Sequence, residues 1–194
     1  QGDQALEVFR PVQISGNFNL GLQDIKKPLA KFKDLLNQVN PQGNILADFN
    51  IEGNAKDIKS CGIKAKLSGS PVSAYGLNAA EFSLEYNQAD NLAEITSLHL
   101  SLYEGIIEAS GKINLATKNM PYTFNINSQG IKLEKLKLDT PVKSQDIAGI
   151  INVQTSLTGY LIDYLESNGT GRLQIVDGRL WQLNLFKGLG QLLF

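Results

Sequence analysis

Residues 97–115 read SLHLSLYEGIIEASGKINL. Leu98, Leu100 and Leu102 alternate with His99 and Ser101, and Tyr103-Glu104-Gly105 breaks the run. Ile107, Ala109, Gly111, Ile113 and Leu115 then alternate with Glu108, Ser110, Lys112 and Asn114. A period of two sends the apolar side chains to one face of a strand and the polar ones to the other. The interruption is short and contains glycine, so the two runs predict an antiparallel hairpin. Its apolar face narrows in the middle, at Ala109 and Gly111.

The same grammar extends in both directions. Val12, Ile14, Gly16, Phe18, Leu20 and Leu22 form one apolar phase, and Ile45, Ala47, Phe49, Ile51 and Gly53 form another. Ile63, Ala65, Leu67 and Gly69 follow, then Phe82, Leu84 and Tyr86. Beyond the central hairpin come Tyr122, Phe124 and Ile126, then Ile131 and Leu133, which change phase to Leu136 and Leu138. That change predicts a bulge at Glu134-Lys135. Ile147, Gly149, Ile151, Val153 and Leu157 make a further strand, and Tyr160 to Leu165 has room for a turn or two of helix. Leu173, Ile175 and Leu180 flank Asp177-Gly178, a hairpin signal.

Several strands end as apolar-x-Gly, among them Ile14-Gly16, Ile51-Gly53, Leu67-Gly69, Ala109-Gly111 and Leu157-Gly159. Their spacing is irregular, which argues against a fixed-period solenoid. Two readings stay open: glycine marks bends in a curved sheet, or missing side chains leave room on its concave face.

One segment changes period. Across residues 27–39, Leu29, Phe32, Leu35, Leu36 and Val39 recur at three and four, with Pro28 near the start and Asn40-Pro41-Gln42-Gly43 behind. This predicts one amphipathic helix packed at an end of the sheet.

Composition narrows the function. The 194 residues, 42% hydrophobic, suffice for one domain with a core. A net charge of −1 supplies no long-range field to recruit nucleic acid or an anionic membrane. One cysteine excludes an internal disulfide, and one histidine excludes a histidine-based metal cluster. His99 lies on the polar face beside Ser101, Cys61 has no histidine partner, and Glu85 and Glu108 sit among lysines. Gly169-Thr170-Gly171 lacks the Gly-Lys-Ser/Thr ending of a phosphate loop. Neither catalytic residues nor a cofactor or metal site is expected.

The opening QGDQALEVFR has no basic and apolar leader pattern, and the end, GLGQLLF, is an uncapped apolar tail. Residues 1–194 are therefore read as a single region cut from a longer chain.

Common phase predicts one concave apolar surface formed by Phe18, Leu20, Phe49, Ile51, Leu67, Phe82, Leu84, Leu100, Ile107, Ala109, Ile113, Phe124, Ile151 and Val153. One helix, about 10 Å wide, shields only two or three strands spaced about 4.8 Å apart. The rest of the face must therefore fold on itself, pair with another sheet, meet lipid, or hold an apolar ligand. A dry sandwich whose sheet edges bind partner proteins is one outcome. An enzyme whose catalytic half lies elsewhere is another.

The segment Gly169-Thr170-Gly171-Arg172-Leu173-Gln174-Ile175-Val176-Asp177-Gly178-Arg179-Leu180, followed by Trp181 to Phe186, resembles the C-terminal region of the AsmA family. Gly105 to Leu115 is similar to that family's repeated G-x-(I/V)-x-A-x-G-x-(I/L)-x-L unit. The resemblance runs from about Val12 onward and implies a mainly β chain: a curved, open antiparallel sheet forming a U-shaped groove, with one or two short amphipathic helices. It also implies a lipid-transport module of the diderm envelope. Phospholipid or other acyl lipid would lie against the fourteen residues above, and adjacent repeats of the same longer chain would extend the track. The setting implied is the periplasm, with an inner-membrane anchor and any membrane contact in segments beyond this one.

Overall fold

The computed structural model describes residues 12–22, 37, 39–54, 56–162 and 166–179. Alternation becomes strand almost throughout: β1 (Val12–Gly21), β2 (Gln42–Gly53), β3 (Gly62–Gly69), β4 (Val72–Ala74), β5 (Leu77–Ala79) and β6 (Glu81–Ala89). They are followed by β7 (Leu92–Leu102), β8 (Gly105–Asn114), β9 (Pro121–Lys132), β10 (Ala148–Tyr160) and β11 (Asn168–Arg179). All pairings are antiparallel, in one 11-stranded sheet ordered β11-β10-β9-β8-β7-β6-β3-β2, with β4-β5 continuing from β2 and β1 also on β2. The sheet is open and does not close into a barrel.

Most neighbouring strands are also neighbours in sequence, β3 beside β6 being an exception, and three of the connections are tight two-residue turns. Tyr75-Gly76, Asp90-Asn91 and Tyr103-Glu104 all hold two consecutive positive φ angles. This is the turn geometry whose twist matches that of flanking strands. Gly105 therefore belongs to β8 and not to the turn. Its role is close approach: a Cβ there would sit 2.5 Å from the Gln129 carbonyl oxygen and the Gly130 backbone of β9.

Three local expectations are corrected. The phase change after Ile131 is no bulge at Glu134-Lys135 but a short helix, α1 (Leu133–Leu136), running into a 3-10 turn, Lys137–Asp139. The bulge lies earlier in β9, where Ile131 pairs with Ile151 but Ser128 pairs with Val153. Gly130, at φ 72, absorbs the extra residue. Asp177-Gly178 is not a hairpin turn either. β11 runs through it and bulges there, with Ala148 opposite Arg179 and Ile150 opposite Val176. Lastly, of the helical turn expected across Tyr160 to Leu165, Tyr160 ends β10 and Leu161 and Ile162 form a bend, while residues 163–165 lie outside the described residues.

The expected helix of residues 27–39 falls mostly outside the described residues, as do Leu29, Phe32, Leu35 and Leu36 and the packing assigned to them. Asn37 and Val39 are helical. Asn40 then takes φ 43, and Pro41, lacking an N–H, follows. The segment 180–194 also lies outside the described residues.

Candidate functional site: an open apolar trough

The register sets out the apolar face row by row. One row crosses the sheet as Phe18, Ala47, Leu67, Leu84, Leu98, Ala109 and Ile126. The row beside it carries Gly16, Phe49, Ala65, Tyr86, Ile95, Gly111 and Phe124. On the other side run Phe82, Leu100, Ile107, Ser128 and Val153, in register with the Leu20–Ile45 pair. Ile51 and Ile113 lie in a fourth row, and Ile151 lies beside Ile131. All fourteen residues named from the sequence therefore lie on one face. Ile95 reaches it only because β7 bulges between Ile95 and Leu98, a shift that simple alternation does not reveal.

None of the fourteen is buried. Phe18 is 44% exposed, and the other thirteen are half-buried. A core between two sheets would bury most of them. Among the described residues no second sheet covers this floor, and only its margins are overhung.

The two margins are different. At one, the turn of residues 56–61 folds over the floor. Gln88 projects from the apolar face between Ile63 and Ala93, and its Nε2 donates to the carbonyls of Ile58 (2.7 Å), Cys61 (3.1 Å) and Lys59 (3.3 Å). The Tyr86 hydroxyl donates to Gln88 Oε1 at 2.6 Å, so this buried amide is fully satisfied. Cys61 is buried beneath the same turn, with its thiol 3.4 Å from the Asn54 carbonyl oxygen.

At the opposite margin the β4–β5 hairpin leans over the floor, and α1 with its 3-10 turn packs beside it. Ala79, Leu102 and Ile131 form a buried cluster there, backed by Val72, Leu100, Ile107, Leu136 and Ile151. Asp139 ties the two pieces together: its Oδ2 accepts from the Tyr103 hydroxyl at 2.8 Å and from Asn78 Nδ2 at 2.9 Å. The Asn78 backbone N–H in turn donates to the Tyr103 hydroxyl oxygen at 3.1 Å. Burial, together with the Asp139 carboxylate, pushes the Tyr103 hydroxyl above its ordinary pKa, against the opposing Asn78 N–H. The floor with these two overhanging lips is a trough.

The glycines on the floor are not gaps. A Cβ at Gly111 would overlap the Phe124 ring, and one at Gly16 would touch the Phe49 ring at 3.5 Å. At Gly111 the missing side chain lets the aromatic ring of the next strand lie down across the sheet, and at Gly16 the ring lies at ordinary contact distance. Phe18 meets Phe49 edge-on with centroids 5.7 Å apart, and Tyr122 and Phe124 lie 5.3 Å apart. At Gly111 and Gly16 a ring borders the space, and the reading of these two glycines as free room is corrected.

The other face is polar and carries ordinary surface chemistry. Lys66 pairs with Glu85 at 2.7 Å, and Lys112 with Glu94 at 3.1 Å. Such exposed pairs contribute little to stability. The hydrogen bond that the Lys66 ammonium donates to Glu85 holds its pKa above the usual value. His99 Nε2 lies 3.2 Å from Ser101 Oγ on this face. Among the described residues no group of three or more His, Cys, Asp or Glu side chains converges.

The sequence reading missed the lips. β4 and β5 are three residues each, too short for alternation to register. Their signal was the Tyr75-Gly76 pair between Val72-Ser73-Ala74 and Leu77-Asn78-Ala79. No protein-family model, curated protein or solved structure matches the chain.

Proposed function

We propose that this chain is a lipid-transport module of the diderm cell envelope, holding phospholipid or other acyl chains in its trough between the inner and outer membranes. In this reading it lies in the periplasm, adjacent repeats of the same longer chain extend the track, and inner-membrane anchoring belongs to segments beyond this one. One observation carries the proposal: fourteen in-phase side chains on successive strands, none of them buried. Such a surface is unfavourable in water, and each methylene laid on it stabilises the complex by about 0.8 kcal/mol. A head group stays in water above the floor. The module itself needs no catalytic group for this, and the reading includes none.

The incomplete burial of the floor weighs against the dry-sandwich assembly module, whose inner faces would be buried against each other. Native mass spectrometry of the chain as purified from a diderm host separates the two. Adducts with phospholipid masses, lost on delipidation and regained from vesicles of phosphatidylethanolamine and phosphatidylglycerol, are the expected result. A chain that never carries lipid and takes none up from those vesicles overturns the proposal.

A further inference from the structure

Under the β4–β5 hairpin the trough deepens into a cavity of about 390 Å³. That volume lies within the range of small-ligand sites. Val72, Ala74 and Leu77 form its roof, and Leu98, Leu100 and Ile107 form its base. Among the described residues no charged side chain lines it. Its polar lining residues are Ser73, Tyr75 and Asn78, and the Asn78 side chain already donates to Asp139. A head group entering here would lose water and find few partners, whereas hydrocarbon loses nothing. The cavity also opens onto the floor, because Phe82, Leu100 and Ile107 belong to both.

We propose that this cavity receives the methyl end of a single unbranched hydrocarbon chain whose remainder lies on the trough floor. The inference rests on the trough holding acyl lipid. It adds a place where a tail terminates, so the module grips one chain end at a defined point instead of letting chains slide freely past the hairpin.

Two photoreactive palmitic acids test it, one with a diazirine at the terminal carbon and one with it next to the carboxyl group. The terminal probe is expected to label Ala74, Leu77, Ala79 and Leu102, and the carboxyl-side probe to label floor residues such as Leu67 and Leu84. In a series of saturated fatty acids of increasing length, affinity should rise about fourfold per added methylene, whether the cavity or the floor takes it up. Ala74→Trp, which fills the roof, should weaken binding of every chain in the series and move the terminal label onto the floor. Terminal labelling of the wild type confined to the floor, or affinities and labelling unmoved by Ala74→Trp, overturns the cavity assignment and leaves the trough reading standing. A trough labelled by neither probe overturns both.

Discussion

Ala109→Glu places a carboxylate in the middle of the floor. Ala109 is half-buried and sits between Leu98 on β7 and Ile126 on β9, all on the apolar face. In the empty trough the new side chain reaches water over those half-exposed neighbours. The cost to folding is then that of an ordinary strand substitution, up to about 1 kcal/mol. With an acyl chain lying across Ala109 the carboxylate loses its water, and no cation on that face offers a partner among the described residues. An unpaired polar group so covered costs about 3 kcal/mol or more, which is roughly a hundredfold loss of lipid affinity. Native mass spectrometry reads the occupancy, and circular dichroism with size-exclusion chromatography reads the fold. Lipid should be lost while the β signal and solubility persist. Glu108→Ala, one residue along on the polar face between His99 and Asn127, should leave both unchanged. An Ala109→Glu chain that unfolds or aggregates, beside a wild type that never carries lipid, would mean the face is core and refute the trough.

Three further outcomes follow from the same geometry. Gly111→Ala drives a methyl group into the Phe124 ring, and urea denaturation should show a loss of about 1–3 kcal/mol at unchanged m; no change would mean the ring is not laid across the glycine. Gln88→Leu strips the donor from three carbonyls of the 56–61 turn, so a loss of about 1–3 kcal/mol and faster amide exchange in that turn are expected, and full protection there would refute its role as a lip anchor. The third concerns Glu104, whose carboxylate accepts from Lys132 and Lys135, which lowers its pKa from 4.5 to about 2. A depressed acid contributes stability that is complete above pH 4.5 and fades as pH falls toward 2, because the unfolded chain takes up the proton first. Glu104→Gln should flatten the stability profile in that window, and identical acid profiles for the two proteins would sink the assignment.

The open antiparallel sheet was legible in the sequence because its main causes are local. Alternation at period two assigns each side chain a face from its own neighbours, and the two-residue turns at Asp90-Asn91 and Tyr103-Glu104 set their flanking strands side by side, whereas the pairing of β3 with β6 is not local. The same logic placed all fourteen floor residues on one side before any contact was known. What alternation could not reveal depended on contacts between residues distant in sequence. The ring of Phe124 fills the space at Gly111 from the next strand, so a glycine that reads as room is floor. The bulge that brings Ile95 inward is set by the register across β6, β7 and β8, and Asp177-Gly178 bulges because β10 continues alongside it. The lips needed tertiary structure most of all. Three-residue strands and a single helical turn carry too little pattern to be read locally. They take their places because Gln88 finds three carbonyls and Asp139 finds Tyr103 and Asn78, across separations in sequence that no window of alternation spans.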